Sequence, residues 1–280
     1  MEKPKIALIG VGRWGKKLAK ELATEADLCY LVHGDSEDTK NWIKENFPNT
    51  KSSKDLDEVF KDSAIESVVI ATPIKTHFEI ALQALKLGKN VLLEKPGGEN
   101  PEELDILIEE AKKRNLVLQI GYEFTFSQKL KEIQKEIEDR KIERISFVWE
   151  KWGTFETHPV VNLLVHEISI AKVLGLNNLE IIKYEETKGE HSPDKVWLEA
   201  KSGETEISFY IDRVSKDPKK LVTIEADGKK REWLSGEENL INAEIKSFVR
   251  SIQEKTPPFI DGQFAKEILE TIEKIPYSKN

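Results

Sequence analysis

Residues 6–15 read Ile6-Ala7-Leu8-Ile9-Gly10-Val11-Gly12-Arg13-Trp14-Gly15, and the reading of the fold starts from them. Four apolar residues form a short buried strand that ends on glycine. Gly10, Gly12 and Gly15 then open a helix pattern over 16–25, where Leu18 and Leu22 lie four apart. In a strand–loop–helix unit the first glycine permits the tight turn. The second lets the backbone approach a pyrophosphate, and the third lets helix and strand pack closely. Free amides at the helix N-terminus then face the phosphates. Trp14 belongs to this loop. Arg13 either lines the phosphate or adenine side or points to solvent.

The alternation continues outward from that unit. A second strand covers 27–32, helices follow over 38–46 and 53–60, and Val68-Val69-Ile70 reads as a buried parallel strand. A helix over 76–87 closes at Gly88, a strand covers 90–93, and a helix runs from Pro101 to about Arg114 with Asn100 as its N-cap. A last strand spans 116–120. Strands joined by helices of this length imply right-handed crossovers and a parallel sheet covered on both faces. The acid that usually ends the second strand and binds the ribose is replaced by His33, with Asp35 and Glu37 nearest. Its absence removes repulsion against a 2′-phosphate and favours NADP; Asp35 reaching the ribose would favour NAD. Both cofactors stay open, as does an exposed-loop role for His33.

After Gly121 the rhythm changes. Helices are expected over 128–139 and 160–174, strands over 142–149, 180–186, 196–200, 204–211, 220–225 and 229–234, and closing helices over 239–252 and 263–275. Asp227-Gly228 and Ser202-Gly203 read as hairpin turns. The expected architecture is α/β: an N-terminal Rossmann doubly wound parallel sheet, residues 1–120, and a C-terminal α+β domain on a largely antiparallel sheet, residues 121–280. Lys216, Lys219 and Lys220 read as a solvated loop.

The segment Val91-Leu92-Leu93-Glu94-Lys95-Pro96 puts a lysine just past a parallel strand's C-terminal end, the crevice edge where ligands of such sheets bind. Ala71-Thr72-Pro73 ends the preceding strand in the same way, with His77 opening the next helix. With these residues in place the chain strongly resembles the Gfo/Idh/MocA oxidoreductases, typified by glucose-fructose oxidoreductase and inositol dehydrogenase. The glycine loop, Ala71-Thr72-Pro73 with His77, and Glu94-Lys95-Pro96 occur in the family's order and spacing, and the resemblance covers most of the chain. It implies that Lys95 lies beside the nicotinamide and the substrate hydroxyl, with Thr72, Pro73, His77 and Glu94 around the cofactor. A desolvated amine next to a cationic ring has a lowered pKa, which suits acid–base work near neutrality.

The resemblance also aligns His166 with the family histidine. Asn162 replaces the family aspartate and Ser169 a further common one. Asn162 orients a hydroxyl but takes no proton, so His166 or Lys95 must be the base, or the reaction differs from standard alcohol oxidation. Trp152 and His158 precede that helix in a loop suited to cover substrate, aromatic faces stacking on sugar C–H surfaces. His158 either supplies an acid–base group or serves the N-cap region ahead of Pro159. Tyr122 either contacts substrate or packs. The resemblance implies a sugar, cyclitol or nucleotide-linked sugar as substrate.

Two other functions fit the residues less well. One is a reductase of a C=N, C=C or bilin-type substrate on the same scaffold, which needs no aspartate base. The other is a non-catalytic dinucleotide-sensing or partner-binding protein.

Composition bounds the rest. The chain of 280 residues has 43 basic against 51 acidic side chains, a net charge of −8 that argues against a nucleic-acid-binding protein. No apolar run reaches membrane-spanning length, and no signal peptide is expected. The single cysteine, Cys29, fits a reducing cytoplasm. No zinc-type cluster and no nucleophile elbow appear, so no metal is expected. An open sheet face in the second domain predicts a homodimer or homotetramer.

Overall fold

The computed structural model describes residues 2–234 and 238–278, with the side chain of Leu234 left aside. They divide into two compact units, Met1–Glu123 with Asn239–Glu267, and Phe124–Glu238 with Ile268–Asn280.

The first unit runs β1 (Lys5–Ile9), α1 (Arg13–Glu25), β2 (Asp27–Val32), α2 (Glu37–Asn46), β3 (Lys51–Ser53), α3 (Leu56–Lys61), β4 (Ser67–Ile70), α4 (His77–Lys86), β5 (Asn90–Glu94), α5 (Pro101–Arg114) and β6 (Leu118–Gly121). Its six strands pair in parallel in the order β3-β2-β1-β4-β5-β6. This is the doubly wound Rossmann order, whose direction reverses between β1 and β4. Local chemistry sets the helix ends. Asn100 caps α5 by accepting from the Glu103 amide, Pro101 takes the first turn, and Asn115 closes the helix in the left-handed region. Gly88 has φ +78° just after α4, as a helix-ending glycine should. β3 does not appear in the sequence reading; it has three polar residues, two of them exposed.

The second unit runs α6 (Gln128–Glu136), β7 (Ile142–Trp152), a π-helical turn (Val160–Leu164), α7 (Val165–Val173), β8 (Glu180–Glu186), β9 (Lys195–Ser202), β10 (Thr205–Asp212), β11 (Val214–Ala226) and β12 (Lys229–Leu234). The sheet order is β12-β11-β7-β10-β9-β8. All pairs are antiparallel except β7 with β10. Asp227 and Gly228 both have positive φ, the geometry of a tight primed hairpin turn. The β9–β10 turn is Gly203-Glu204, one residue later than the expected Ser202-Gly203, because Thr205 pairs with Ser202. α7 is buried all round, as an apolar helix without a polar stripe must be.

Two helices close the chain, α8 (Leu240–Glu254) and α9 (Gly262–Glu273). α8 belongs to the first unit, so a single break at residue 120 does not describe the division. The cause is its apolar face: Ile245, Phe248 and Val249 join the core of Ile6, Leu8, Leu18 and Leu22.

Candidate functional site

The glycine loop sits at the carboxyl edge of β1, at the point where the sheet order reverses. Gly10 has φ +101°, and a Cβ there would stand 2.6 Å from the Ala71 carbonyl that ends β4. A Cβ on Gly15 would stand 1.9 Å from the Gly10 carbonyl oxygen. Both glycines are therefore required by the protein's own packing. Gly12 differs: a Cβ there meets nothing within 4 Å, so its lack of a side chain leaves open space in front of the loop. Gly12 is the N-cap of α1 and supplies no side-chain cap, and no acid occupies the first turn. Uncapped amides and positive dipole potential face that space, which fits a pyrophosphate. Arg13 is exposed.

Trp14 turns inward from this loop. Its indole N–H donates to Glu94 Oε1 at 2.5 Å. Burial, then the charge of Glu123, push Glu94 up to about 8. Lys95 follows at the end of β5, and burial lowers its pKa against the opposing charges of Glu123 and Glu94. After β4, the Thr76 hydroxyl donates to Thr72 Oγ1, and His77 Nε2–H donates to the Thr72 carbonyl at 2.8 Å. Burial lowers His77 to about 4, so it is a neutral imidazole that fixes the turn. His33 is buried, contrary to an exposed-loop role: Nδ1–H donates to the Gly34 carbonyl and Nε2 accepts from Ser52 Oγ at 2.8 Å. Asp35 is exposed and ion-paired with Lys54 and Lys40. Tyr122 is fully buried with its ring against Phe264.

In the second unit His166 is buried on α7, edge-on to Phe124 and Trp149 at 5.1 and 5.6 Å. Asn162 lies on the π-helical turn before it and is half-buried. Beside them stands a residue that sequence reasoning missed. Lys220, expected in a solvated loop, is buried in β11. Its Nζ is 2.5 Å from Glu167 Oε1 and 3.4 and 4.1 Å from the ring centroids of Trp149 and Phe124. Lys216 and Lys219 are exposed, as expected. The signal was the period of two: Lys220 shares its face with buried Val222, Ile224 and Ala226.

His158 has both ring nitrogens engaged. Nδ1 accepts from the Val160 amide at 3.2 Å, so Nε2 carries the hydrogen toward Glu186 at 3.3 Å. Burial lowers its pKa. Trp152 is 59% exposed and meets Phe155 and His191 edge-on. The fully buried Arg213 ties that loop down, donating to the Thr154, Thr157 and His191 carbonyls. Among the described residues no group of His, Cys, Asp and Glu could hold a metal, and no helix is long and apolar enough to cross a membrane.

Sheet order, glycine loop and the Glu94-Lys95 edge define a dinucleotide-binding α/β protein. Residues 4–122 match the oxidoreductase family model GFO_IDH_MocA, NAD-binding Rossmann fold. Myo-inositol 2-dehydrogenase of Thermotoga maritima is 30% identical over 139 residues, 49% of this chain and 42% of the relative. UDP-N-acetylglucosamine 3-dehydrogenase of Acidithiobacillus ferrooxidans is 32% identical over 115 residues, 41% of this chain and 36% of the relative. The chain thus matches less than half the length of these curated relatives. The scyllo-inositol dehydrogenase of Lactobacillus casei, solved with NAD(H) and scyllo-inositol, superposes with a TM-score of 0.88 at 16% identity, covering 98% of this chain and 96% of that one. At that identity the likeness is one of fold.

Proposed function

We propose that the chain is an NAD(P)-dependent oxidoreductase acting between a secondary hydroxyl and a keto carbon of a sugar, cyclitol or nucleotide-linked sugar. One observation carries this reading: the open glycine loop after β1 and Lys95 after β5 share one carboxyl edge of the parallel sheet, either side of the β4 turn. Ligands of such sheets bind at that edge. Gly10, Gly12 and Gly15 with the α1 amides would hold the pyrophosphate. Thr72, Pro73 and Glu94 would line the nicotinamide half, and His33 and Asp35 the adenine ribose. The bound nicotinamide would supply the hydride acceptor or donor. Lys95 in its neutral form takes the hydroxyl proton during oxidation and returns it during reduction. Burial lowers its pKa, which favours the neutral form.

From the second unit, His166 and Asn162 are the proposed substrate-side residues, with Trp152 as an aromatic contact. A reductase of a C=N or C=C substrate is the second reading, favoured by Asn162, which takes no proton at neutral pH. The exposed Ile182 and Trp197 on β8 and β9 support a homodimer or homotetramer. Cys29, unpaired, supports a cytoplasmic location.

Titration with NADH and NADPH, read by tryptophan-to-nicotinamide energy transfer, is the test, Trp14 being the reporter in the loop. Binding of one or both forms is expected. No binding of either, with calorimetry in agreement, would overturn the reading. Lys95→Met should then lower turnover about 10²- to 10⁴-fold while leaving cofactor binding in place; unchanged turnover would remove Lys95 from its role.

A further inference from the structure

A glycine loop holds phosphate with backbone amides, so nothing in that task calls for an indole at residue 14. Trp14 stands in the first turn of α1 and packs, half-buried, against the core of Ile6, Leu8 and Leu18. Lys17, one turn on, holds its ammonium 5.2 Å over the ring. The indole N–H reaches Glu94 Oε1 at 2.5 Å, at the end of β5. β5 is not a neighbour of β1, because β4 lies between them. The contact therefore crosses the end of β4, where Gly10 already presses on the Ala71 carbonyl. An indole suits that span: it has an apolar body and one N–H that only donates. Glu94 is buried, so its carboxyl needs donors. The charge of Glu123 opposes its ionisation, and its own charge opposes that of Glu244 on α8. Two donors favour the ionised carboxyl: the Trp14 indole and the backbone N–H of Lys95. One carboxyl thus joins the glycine loop to the main chain of the lysine.

We propose that Trp14 is a positioning residue for Lys95, acting through Glu94: its indole N–H fixes the carboxyl that holds the Lys95 backbone amide. The strap sets the spacing between the loop proposed for the pyrophosphate and the lysine proposed for the substrate proton. Position along that edge matters, because a lysine that moves a proton has to meet the hydroxyl within hydrogen-bond reach. The role rests on Lys95 being the proton-handling group; the strap itself does not. Charge and placement can be separated at residue 94. A glutamine there has an amide oxygen that still accepts both N–H groups, whereas an alanine accepts neither.

The test uses the full chain without cofactor or substrate, so that it stands apart from turnover. Amide hydrogen exchange is followed residue by residue in nitrogen-15 spectra. Trp14→Phe keeps an aromatic ring and removes the N–H. Exchange at the Lys95 amide should quicken about three- to tenfold relative to Val91 and Leu92 on the same strand, the effect of loosening one hydrogen bond. A general loss of stability would quicken all three alike, and that result would overturn the proposal. Glu94→Ala should quicken Lys95 at least as much, and adding Trp14→Phe to it should change nothing more. Glu94→Gln should keep most of the protection. Should Trp14→Phe fail to fold, Glu94→Ala carries the test: one of the six indole N–H signals should move and Lys95 exchange should quicken. Six unmoved signals would overturn the proposal. Turnover is read on myo-inositol, scyllo-inositol and UDP-N-acetylglucosamine with NAD and NADP. On any that is oxidised, Trp14→Phe should lower kcat about tenfold or more. An unchanged kcat beside quickened Lys95 exchange would end the positioning role. Quickened exchange with turnover of none of them would support the strap and count instead against the proposed activity.

Discussion

Each unit buries a lysine beside carboxyl groups, and the two stand in opposite charge balance. Lys220 meets one carboxylate, Glu167, and two aromatic faces. Glu167 opposes its charge in a buried setting. Lys95 stands with Glu94 and Glu123, and Glu244 stands behind Glu94. Burial raises the pKa of Glu94 and of Glu244, which favours their protonated forms. A matched pair suits holding a sheet to a helix, here β11 to α7. A surplus of acid suits a place where a proton has to move. Burial of a lysine by itself distinguishes nothing; the balance of its neighbours does.

The largest effect should come from unbalancing the matched pair. Glu167→Ala takes the carboxylate away from a buried ammonium and should lower the unfolding free energy by about 3–5 kcal/mol in a denaturant titration. Replacing both partners at once, Glu167→Leu with Lys220→Met, should recover most of that loss, since burying two ions gains little over apolar packing. A loss below about 1 kcal/mol in Glu167→Ala would break the comparison, because it would mean that water reaches the pair.

Next in size is the pH dependence of the unmatched cluster. In an unfolded chain Glu94 ionises near 4.5, and in the folded chain near 8. Between those values the folded state keeps a proton that the unfolded state has lost. Stability is therefore complete below about 4.5 and falls as pH rises toward about 8, by at most about 1.4 kcal/mol per pH unit for one such group. Glu244 adds in the same direction. Lys95 works the other way at higher pH, since its folded form gives up a proton before the unfolded one does. Thermal unfolding followed by circular dichroism should show Tm falling across this window, and Glu94→Gln should flatten the fall. A Tm that rises with pH in the wild type, and equally in Glu94→Gln, would show that other groups set the dependence.

How far the sequence carries such distinctions depends on whether the cause is local. The glycine loop is legible because each turn is specified within a few residues. The cap of α5 is legible for the same reason: Asn100, Pro101 and Glu103 are neighbours in the chain. The return of α8 to the first unit is not. Ile245, Phe248 and Val249 announce a helix with an apolar face but do not say which core receives it. Lys220 was hidden by its neighbours, since Lys216 and Lys219 on the same segment are exposed; only its phase with Val222 and Ile224 shows it pointing inward. Glu244 was hidden in a similar way. It falls in step with Phe248 and Ser251 on the buried face of α8, a position where an acid is foreign to the pattern. Buried charges are the residues that pattern reading misplaces, because charge argues for solvent while spacing argues for the core. In this chain spacing is the better guide at both positions.

The smallest effect sharpens the contrast inside the first unit, between residues that the fold requires and residues that a ligand would require. Gly10→Ala and Gly15→Ala meet backbone at 2.6 and 1.9 Å, and Gly10 also has φ +101°, so both should destabilise the chain measurably. Gly12→Ala meets nothing within 4 Å and has φ −81°, so its unfolding free energy should stay within about 0.5 kcal/mol of wild type. The added methyl group projects into the open space before the α1 amides. If that space receives a pyrophosphate, the same variant should weaken NADH or NADPH binding in calorimetry despite its unchanged stability. Loss of affinity at constant stability is what separates a glycine kept for a ligand from one kept for a turn. Unchanged affinity in Gly12→Ala would mean that no phosphate comes close to this loop, and the conformation of Gly10 and Gly15 would then be a matter of packing alone.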